Sequence, residues 1–373
     1  MEKQTFPIMH SAGKLNGILF CIMIFGMFLY SLPLTYTFFT KHEDTYSLFI
    51  DGKLIRKFEN YYDKKIFIHE PSVKIWASLR FIVFDEGTSG VIIGNSGWLF
   101  TNQEYIIPNN LQKGIQKQVE DIVIARDKLR RQGKQLIVLP IPMKADIYSE
   151  QTNIHIDQRA YGLYDTFIKC LQMYDIETVS LRDAFIRGHK HMSLFLVNDT
   201  HWTPAGARLA AQELALQYPQ LIGDTVYNTT QIDEKSHRGD LVNYLQFPSS
   251  LAPHMFAEIK VPIYETTPQS EQSLINDEIL FGKQKSNLAL IGTSYSKTET
   301  WNFAGFLRDS LQNDMENFSL EAYGPFQSMD AFLSNKELLE DLSIHTVIWE
   351  FPLRTLLVQQ MRGNAPVDPE QHL

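Results

Sequence analysis

The sequence predicts an α/β fold, a mostly parallel sheet covered by helices on both faces, set behind an N-terminal transmembrane helix. Three observations carry this. Short apolar runs that suit buried strands alternate with longer stretches of helical periodicity between about residues 109 and 351, an order that yields parallel strands joined by crossover helices. The chain, at 373 residues, is long enough to bury one large core of this kind. The segment Leu15–Thr40 is uncharged and rich in Ile, Leu, Phe and Met, and at ~1.5 Å per residue it spans a hydrocarbon core of about 30 Å.

Residues 1–14 read as a cytoplasmic tail and 15–40 as the anchor. Lys3 and Lys14 precede the apolar segment, whereas Glu43 and Asp44 follow Lys41, a bias that keeps the amino terminus in the cytoplasm and the body of the chain outside it. A cleaved signal peptide is the rival reading, but Ser31-Leu32-Pro33-Leu34 makes a poor cleavage site. Residues 41–90 have no clear period and read as an irregular stalk or docking segment.

The domain is expected over 91–355, with an insertion at 222–286 and a loose polar tail at 356–373. Leu111, Ile115, Val119, Ile122 and Leu129 recur at helical spacing from about Asn109 to Gln132, and Gly133 suits a C-terminal cap. The run Leu136–Leu139, stopped by Pro140 and Pro142, suits a buried strand. A helix follows near 159–173, then strands at 177–181 and 194–197. Thr203 and Pro204 supply an N-cap and a first-turn proline for a helix over 204–218. Beyond the insertion, strands are expected at 288–291, 318–323 and 346–351, with helices at 298–311 and 329–341 between them.

Composition narrows the function. Asp and Glu total 43 against 34 Lys and Arg, a net charge of −9, and no basic run exceeds Arg130-Arg131, which argues against nucleic-acid binding. The two cysteines, Cys21 and Cys170, do not make a disulfide framework, because Cys21 lies in the anchor.

Two motifs carry chemistry. Asp199 and His201 lie in Val197-Asn198-Asp199-Thr200-His201-Trp202, and Ser294 follows a predicted strand in Ile291-Gly292-Thr293-Ser294-Tyr295-Ser296. A serine hydroxyl needs a base in hydrogen-bond reach and a third group to orient that base. Alternate residues of an extended segment point to one side, so Asp199 and His201 can fill both roles. In parallel sheets, sites gather where strands end and helices begin, and both motifs are expected there. Ser294 as a plain helix cap, Asp199 and His201 as a loop hydrogen-bond cluster, and Ser296 as the nucleophile are the competing assignments. A zinc site from His189, His191, Asp199 and His201 is a further competing assignment; His189 and His191 fall at the opposite end of the predicted strand from His201, and no metal is expected.

The stretches Asn198-Asp199-Thr200-His201-Trp202-Thr203-Pro204-Ala205-Gly206 and Gly292-Thr293-Ser294-Tyr295-Ser296 resemble the motifs of the SGNH-hydrolase-like domain in the AlgJ/AlgX alginate O-acetyltransferase family. Shorter matches at Gly97-Trp98-Leu99-Phe100, Pro142–Tyr148, Arg238–Asn243, Gly324–Met329 and Trp349–Pro352 spread the resemblance over nearly all of 90–355. Leu353 departs from the acidic residue expected there.

The resemblance implies a three-layer α/β/α domain of permuted SGNH type, closer to the membrane-anchored AlgJ branch. Ser294 would be the nucleophile, His201 the base and Asp199 its orienter. From the residues themselves, Gly239 is a candidate second oxyanion donor because no side chain blocks approach to its N–H, unless it is only a turn glycine, and Tyr323, at an expected strand end, is a candidate sugar or acyl contact, unless it is packed. Lys144 and Arg238 are the cations to consider for uronate binding. The implied activity moves an acetyl group through a seryl ester to hydroxyls of an exported polysaccharide, alginate or similar. No cofactor is expected; the implied partners are the polysaccharide acceptor and a multi-spanning membrane acyltransferase that supplies acetyl groups. An acetyl esterase with the same triad, or a non-catalytic assembly subunit, are the alternatives.

Overall fold

The computed structural model describes residues 14–41, 45–84, 90–154, 157–245, 247, 256–269, 286–321 and 325–357. The chain divides into two compact units, Met1–Leu79 and Arg80–Leu373.

In the first unit, helix α1 (Lys14–Lys41) is long and apolar enough over Asn16–Lys41 to cross a membrane, with the length and composition of a single-pass anchor. The expected irregular stalk is instead helical: α2 (Thr45–Ile50), α3 (Leu54–Lys65) and α4 (His69–Phe84). The reason lies in α3, whose aromatic residues pack back on α1. Phe38 meets Phe58 and Tyr61 at ring separations of 5.2 and 5.3 Å, and just past the end of α3 Phe67 meets Tyr30 at 4.9 Å. These ring contacts half-bury Phe58 and Tyr61 and help to hold the helix on α1, although none of its residues is fully buried.

The second unit begins near the end of α4 and continues with a small antiparallel pair, β1 (Val91–Ile93) and β2 (Leu99–Thr101). Then follow α5 (Leu111–Arg131), β3 (Gln135–Ile141), α6 (Lys144–Ile147), α7 (Gln158–Tyr161), α8 (Leu163–Met173), β4 (Glu177–Thr178), α9 (Arg182–Gly188) and α10 (Pro204–Gln217). An antiparallel hairpin, β5 (Tyr227–His237) and β6 (Ile259–Pro268), encloses α11 (Asp240–Tyr244). The chain returns through β7 (Leu288–Ile291), α12 (Ser294–Lys297), α13 (Phe303–Leu311), β8 (Met315–Asn317), α14 (Pro325–Ser334), α15 (Lys336–Leu339) and β9 (Thr346–Pro352).

The five central strands run parallel in the order β4-β3-β9-β7-β8. Residues 136–141 and 346–352 are all buried, so both faces of the sheet are covered. Helices α5, α8 and α14 pack together and against β3, β7 and β9, while α10 and α13 form a second packed pair with α13 on β8. Helix α10 starts as expected, with the Thr203 hydroxyl accepting from Gly206 N–H. Gly133, at φ +71°, takes the left-handed position that closes α5.

Three expected elements differ. Residues 194–197 are not a strand: Leu196 N–H donates to His201 O and Thr203 N–H to Leu194 O, leaving one antiparallel bridge between Phe195 and Trp202. Much of the rest of its backbone is satisfied by Leu99 N–H, the Tyr148 hydroxyl and the Lys144 ammonium, which leaves little to pair with the sheet. The strand expected at 318–323 begins earlier, because Met315 pairs with Leu288 and is buried; at this sheet edge Glu316 and Asn317 interrupt the apolar signal. Within the expected insertion, residues 227–237 and 259–268 form the hairpin, and 270–285 lie outside the described residues.

Candidate active site

Residue by residue, the site is built on the turn after β7. Thr293, not Ser294, caps α12: its hydroxyl accepts from Tyr295 N–H at 3.4 Å. Ser294 is therefore the first helical residue, with its own hydroxyl free of capping duty. Beneath the turn lies Glu350 on β9, fully buried. Its carboxylate accepts from Thr293 N–H at 2.9 Å, Thr293 Oγ1 at 3.0 Å and Ser296 Oγ at 2.6 Å. Burial raises the Glu350 pKa, and the bonds from Ser296 and Thr293 oppose that rise. Ser296 is thus committed to Glu350. Gly292 is required here, since a Cβ would lie 2.4 Å from Glu350 Oε2 and 2.6 Å from Ser296 Oγ.

Ser294 Oγ lies 2.8 Å from His201 Nε2. On the other side of that ring, His201 Nδ1 is 2.7 Å from Asp199 Oδ1, which also accepts His201 N–H at 2.8 Å. Asp199 is buried to 1% exposure. Burial alone would raise its pKa, but hydrogen bonds from His201 and His237 outweigh that and hold the carboxyl well below the usual carboxylate range. An ionised carboxylate only accepts, so Nδ1 carries the proton and Nε2 presents a lone pair to the Ser294 hydroxyl. This arrangement can deprotonate a serine as it attacks and can later return the proton.

The Asp199 and His201 loop is held from outside. Asp240 binds Thr200 through its N–H at 2.8 Å and its hydroxyl at 2.6 Å; burial and the Asp199 charge raise the Asp240 pKa. Tyr295 O–H donates to Thr200 O, and Arg354 donates to Tyr295 Oη at 2.5 Å. The Trp301 indole stacks on the His201 ring at 5.4 Å and 23°.

Lys144 requires a correction. It is 2% exposed and therefore not a surface cation for uronates. Its ammonium donates to Leu99 O at 2.7 Å, Leu196 O at 2.6 Å, Val197 O at 3.0 Å and Asp199 O at 3.0 Å. Burial pushes its pKa down to about 7, against the upward pull of Glu104 and Asp199. It is a strut that ties the loop bearing Asp199 to the carboxyl end of β3. Lys144→Met leaves four carbonyls short of a donor, which should cost about 3 kcal/mol or more. Thermal unfolding should then fall by roughly 5–10 °C, and an unchanged midpoint would show the strut to be dispensable.

Gly239 packs against Asn198, where a Cβ would come within 1.9 Å of the Asn198 carbonyl oxygen. That contact explains the glycine by close packing. Arg238 beside it is exposed. Tyr323 lies outside the described residues. The histidines weighed for a metal do not join the site as a group: His189 Nδ1 donates to Ile186 O at 2.8 Å and its ring faces Tyr148. Among the described residues the group whose spacing could suit a metal is Asp199, His201 and Asp240, without His189 or His191.

Sequence reasoning missed His237, whose Nε2 lies 2.7 Å from Asp199 Oδ2, as well as Glu350 and Trp301. A signal for His237 was present: it immediately precedes the Arg238–Asn243 stretch already picked out as a motif.

Residues 91–353 match the family described as "SGNH hydrolase-like domain, acetyltransferase AlgX". The chain is 34% identical over 318 residues to "Probable alginate O-acetylase AlgJ" of Azotobacter vinelandii, covering 82% of this chain and 80% of that one. It is 32% identical over 323 residues to the protein of the same description from Pseudomonas aeruginosa, covering 82% and 81%. Among solved structures it is similar to the O-acetyltransferase domain of Pseudomonas putida AlgJ, at a TM-score of 0.64 and 27% identity over 72% of this chain and 92% of that one.

Proposed function

This chain belongs to the AlgX-type family of SGNH hydrolase-like acetyltransferases, and from that membership we propose that it is a polysaccharide O-acetyltransferase acting on alginate or a closely similar exported polymer. The observation that carries the reading is the continuous hydrogen-bond chain from Ser294 Oγ through His201 to Asp199. Ser294 Oγ attacks the carbonyl carbon of the acetyl donor and gives its proton to His201 Nε2. The oxyanion accepts from the Ser294 backbone N–H, which has no intrahelical partner at the first turn. Collapse expels the donor's leaving group, which takes the proton from His201, and an acetyl ester remains on Ser294.

In the second half, a sugar hydroxyl enters in place of the leaving group. His201 Nε2 takes its proton as the oxygen attacks the seryl ester, and the collapsing intermediate returns that proton to Ser294 Oγ. Arg238, exposed beside the site, is the cation we assign to a uronate carboxylate. With α1 as anchor, the domain sits outside the inner membrane, in the periplasm, where a multi-spanning membrane acyltransferase supplies the acetyl group.

The test is the acetyl content of the exported polymer, measured by NMR in a strain lacking this chain and in the same strain complemented. Acetylation lost on deletion and restored by the wild-type chain supports the reading; polymer equally acetylated in both strains rules it out.

A further inference from the structure

The carboxylate that orients His201 is gripped by a second imidazole that the acyl-transfer steps do not use. Each oxygen of Asp199 accepts two hydrogen bonds: Oδ1 from the N–H and Nδ1 of His201, Oδ2 from His237 Nε2 at 2.7 Å and Asp240 N–H at 2.9 Å. His237 is the last residue of β5, paired in register with Ile259 of β6. The hairpin therefore delivers a side chain to the centre of the site from a segment separate from the strand-end loops. The Trp301 ring sits between the two imidazoles, stacked on His201 at 5.4 Å and 23° and edge-on to His237 at 5.4 Å and 81°.

We propose that His237 is a positioning residue for the acyl transfer, fixing Asp199 Oδ2 so that Oδ1 holds the His201 ring on Ser294. The proposal rests on the acyl-transfer reading above. The terminal torsion of an aspartate is soft, with no staggered well to hold it, so the carboxylate plane is set by its donors. Asp199 is 1% exposed, and water cannot readily replace a lost donor at that depth. Without His237, Oδ2 keeps only the Asp240 N–H, and a buried charged oxygen short of a donor is costly. The carboxylate turns to share the remaining donors, and the His201 ring turns with it. Because Asp199 only accepts, His237 Nε2 is the donor, and glutamine, whose amide N–H has similar reach, can stand in for it.

The test uses the full-length chain with a chromogenic acetyl ester as donor, comparing His237→Ala and His237→Gln with the wild type, each checked by thermal unfolding. A misaligned base should lower kcat for His237→Ala on the order of 10- to 100-fold, with KM unchanged as a role exerted through Asp199 requires, and His237→Gln should recover most of the rate. His237→Ala within about twofold of wild type, or a folded His237→Gln no better than alanine, would overturn the role. A folded wild-type chain that turns over no ester would instead count against the acyl-transfer reading itself.

Discussion

Ser294→Ala is expected to lower kcat for acetyl transfer by about 10⁴-fold or more, since removing a triad nucleophile leaves only what binding and oxyanion stabilisation supply. The fold should survive. Among the described residues the Ser294 side chain makes one hydrogen bond, to His201, and the helix cap belongs to Thr293. Stability should therefore move by less than about 1 kcal/mol, a thermal shift far smaller than that of Lys144→Met. The paired measurement is acetylated-sugar formation and thermal unfolding on the same preparation. Near-wild-type turnover in a folded Ser294→Ala chain would place the nucleophile elsewhere, and Ser296 is a poor substitute because its Oγ is bound to buried Glu350 at 2.6 Å.

Asp199→Asn should be nearly as damaging, about 10⁴-fold in kcat, by the tautomer argument that applies to serine triads generally. The carboxylate accepts four N–H donors. An asparagine has one acceptor oxygen, and its NH₂ meets donors on whichever side it faces. His201 either loses its orienting bond or flips its proton to Nε2, where it blocks Ser294. Stability carries a second signature. The folded-state pKa of Asp199 is lowered, so its contribution is fully present above the unfolded value of about 3.9 and fades as pH falls below it. Unfolding curves of wild type and Asp199→Asn should thus lie apart at neutral pH and converge in acid, while a constant gap would contradict the assignment.

The parts of the site legible in the sequence are those built locally. Asp199 and His201 share one loop, Ser294 follows a strand whose apolar run is unambiguous, and Thr203 with Pro204 marks the start of α10. The buried strands 136–141, 288–291 and 346–352 also stand out, because strands covered on both faces are mostly apolar, with Glu350 the exception that serves the site. What was hidden depends on distant partners. Lys144 reads as a surface cation until four carbonyls, one from β2 and three from the Asp199 loop, enclose it. His237 lies in a polar hairpin that looks like an interruption, and only the β5–β6 register aims it at Asp199. The run 194–197 has a strand's composition, but its hydrogen bonds go to residues 201 and 203, Leu99, Tyr148 and Lys144, which no periodicity reveals. Helices α2 to α4 escape the sequence reading because they offer no long apolar run, and α2 and α3 bury no side chain fully.

The most direct test of the account follows one acetyl group. The full-length chain in detergent is mixed with an acetyl-ester donor, its intact mass is recorded, and an oligouronate acceptor is then added with the sugar followed by NMR. The account predicts one acetyl per chain, on Ser294 and absent from Ser294→Ala, which moves to a sugar hydroxyl when the acceptor arrives. Release of the acetyl group only as free acetate, or acetylated sugar from a chain that never carries an acetyl group, would contradict it.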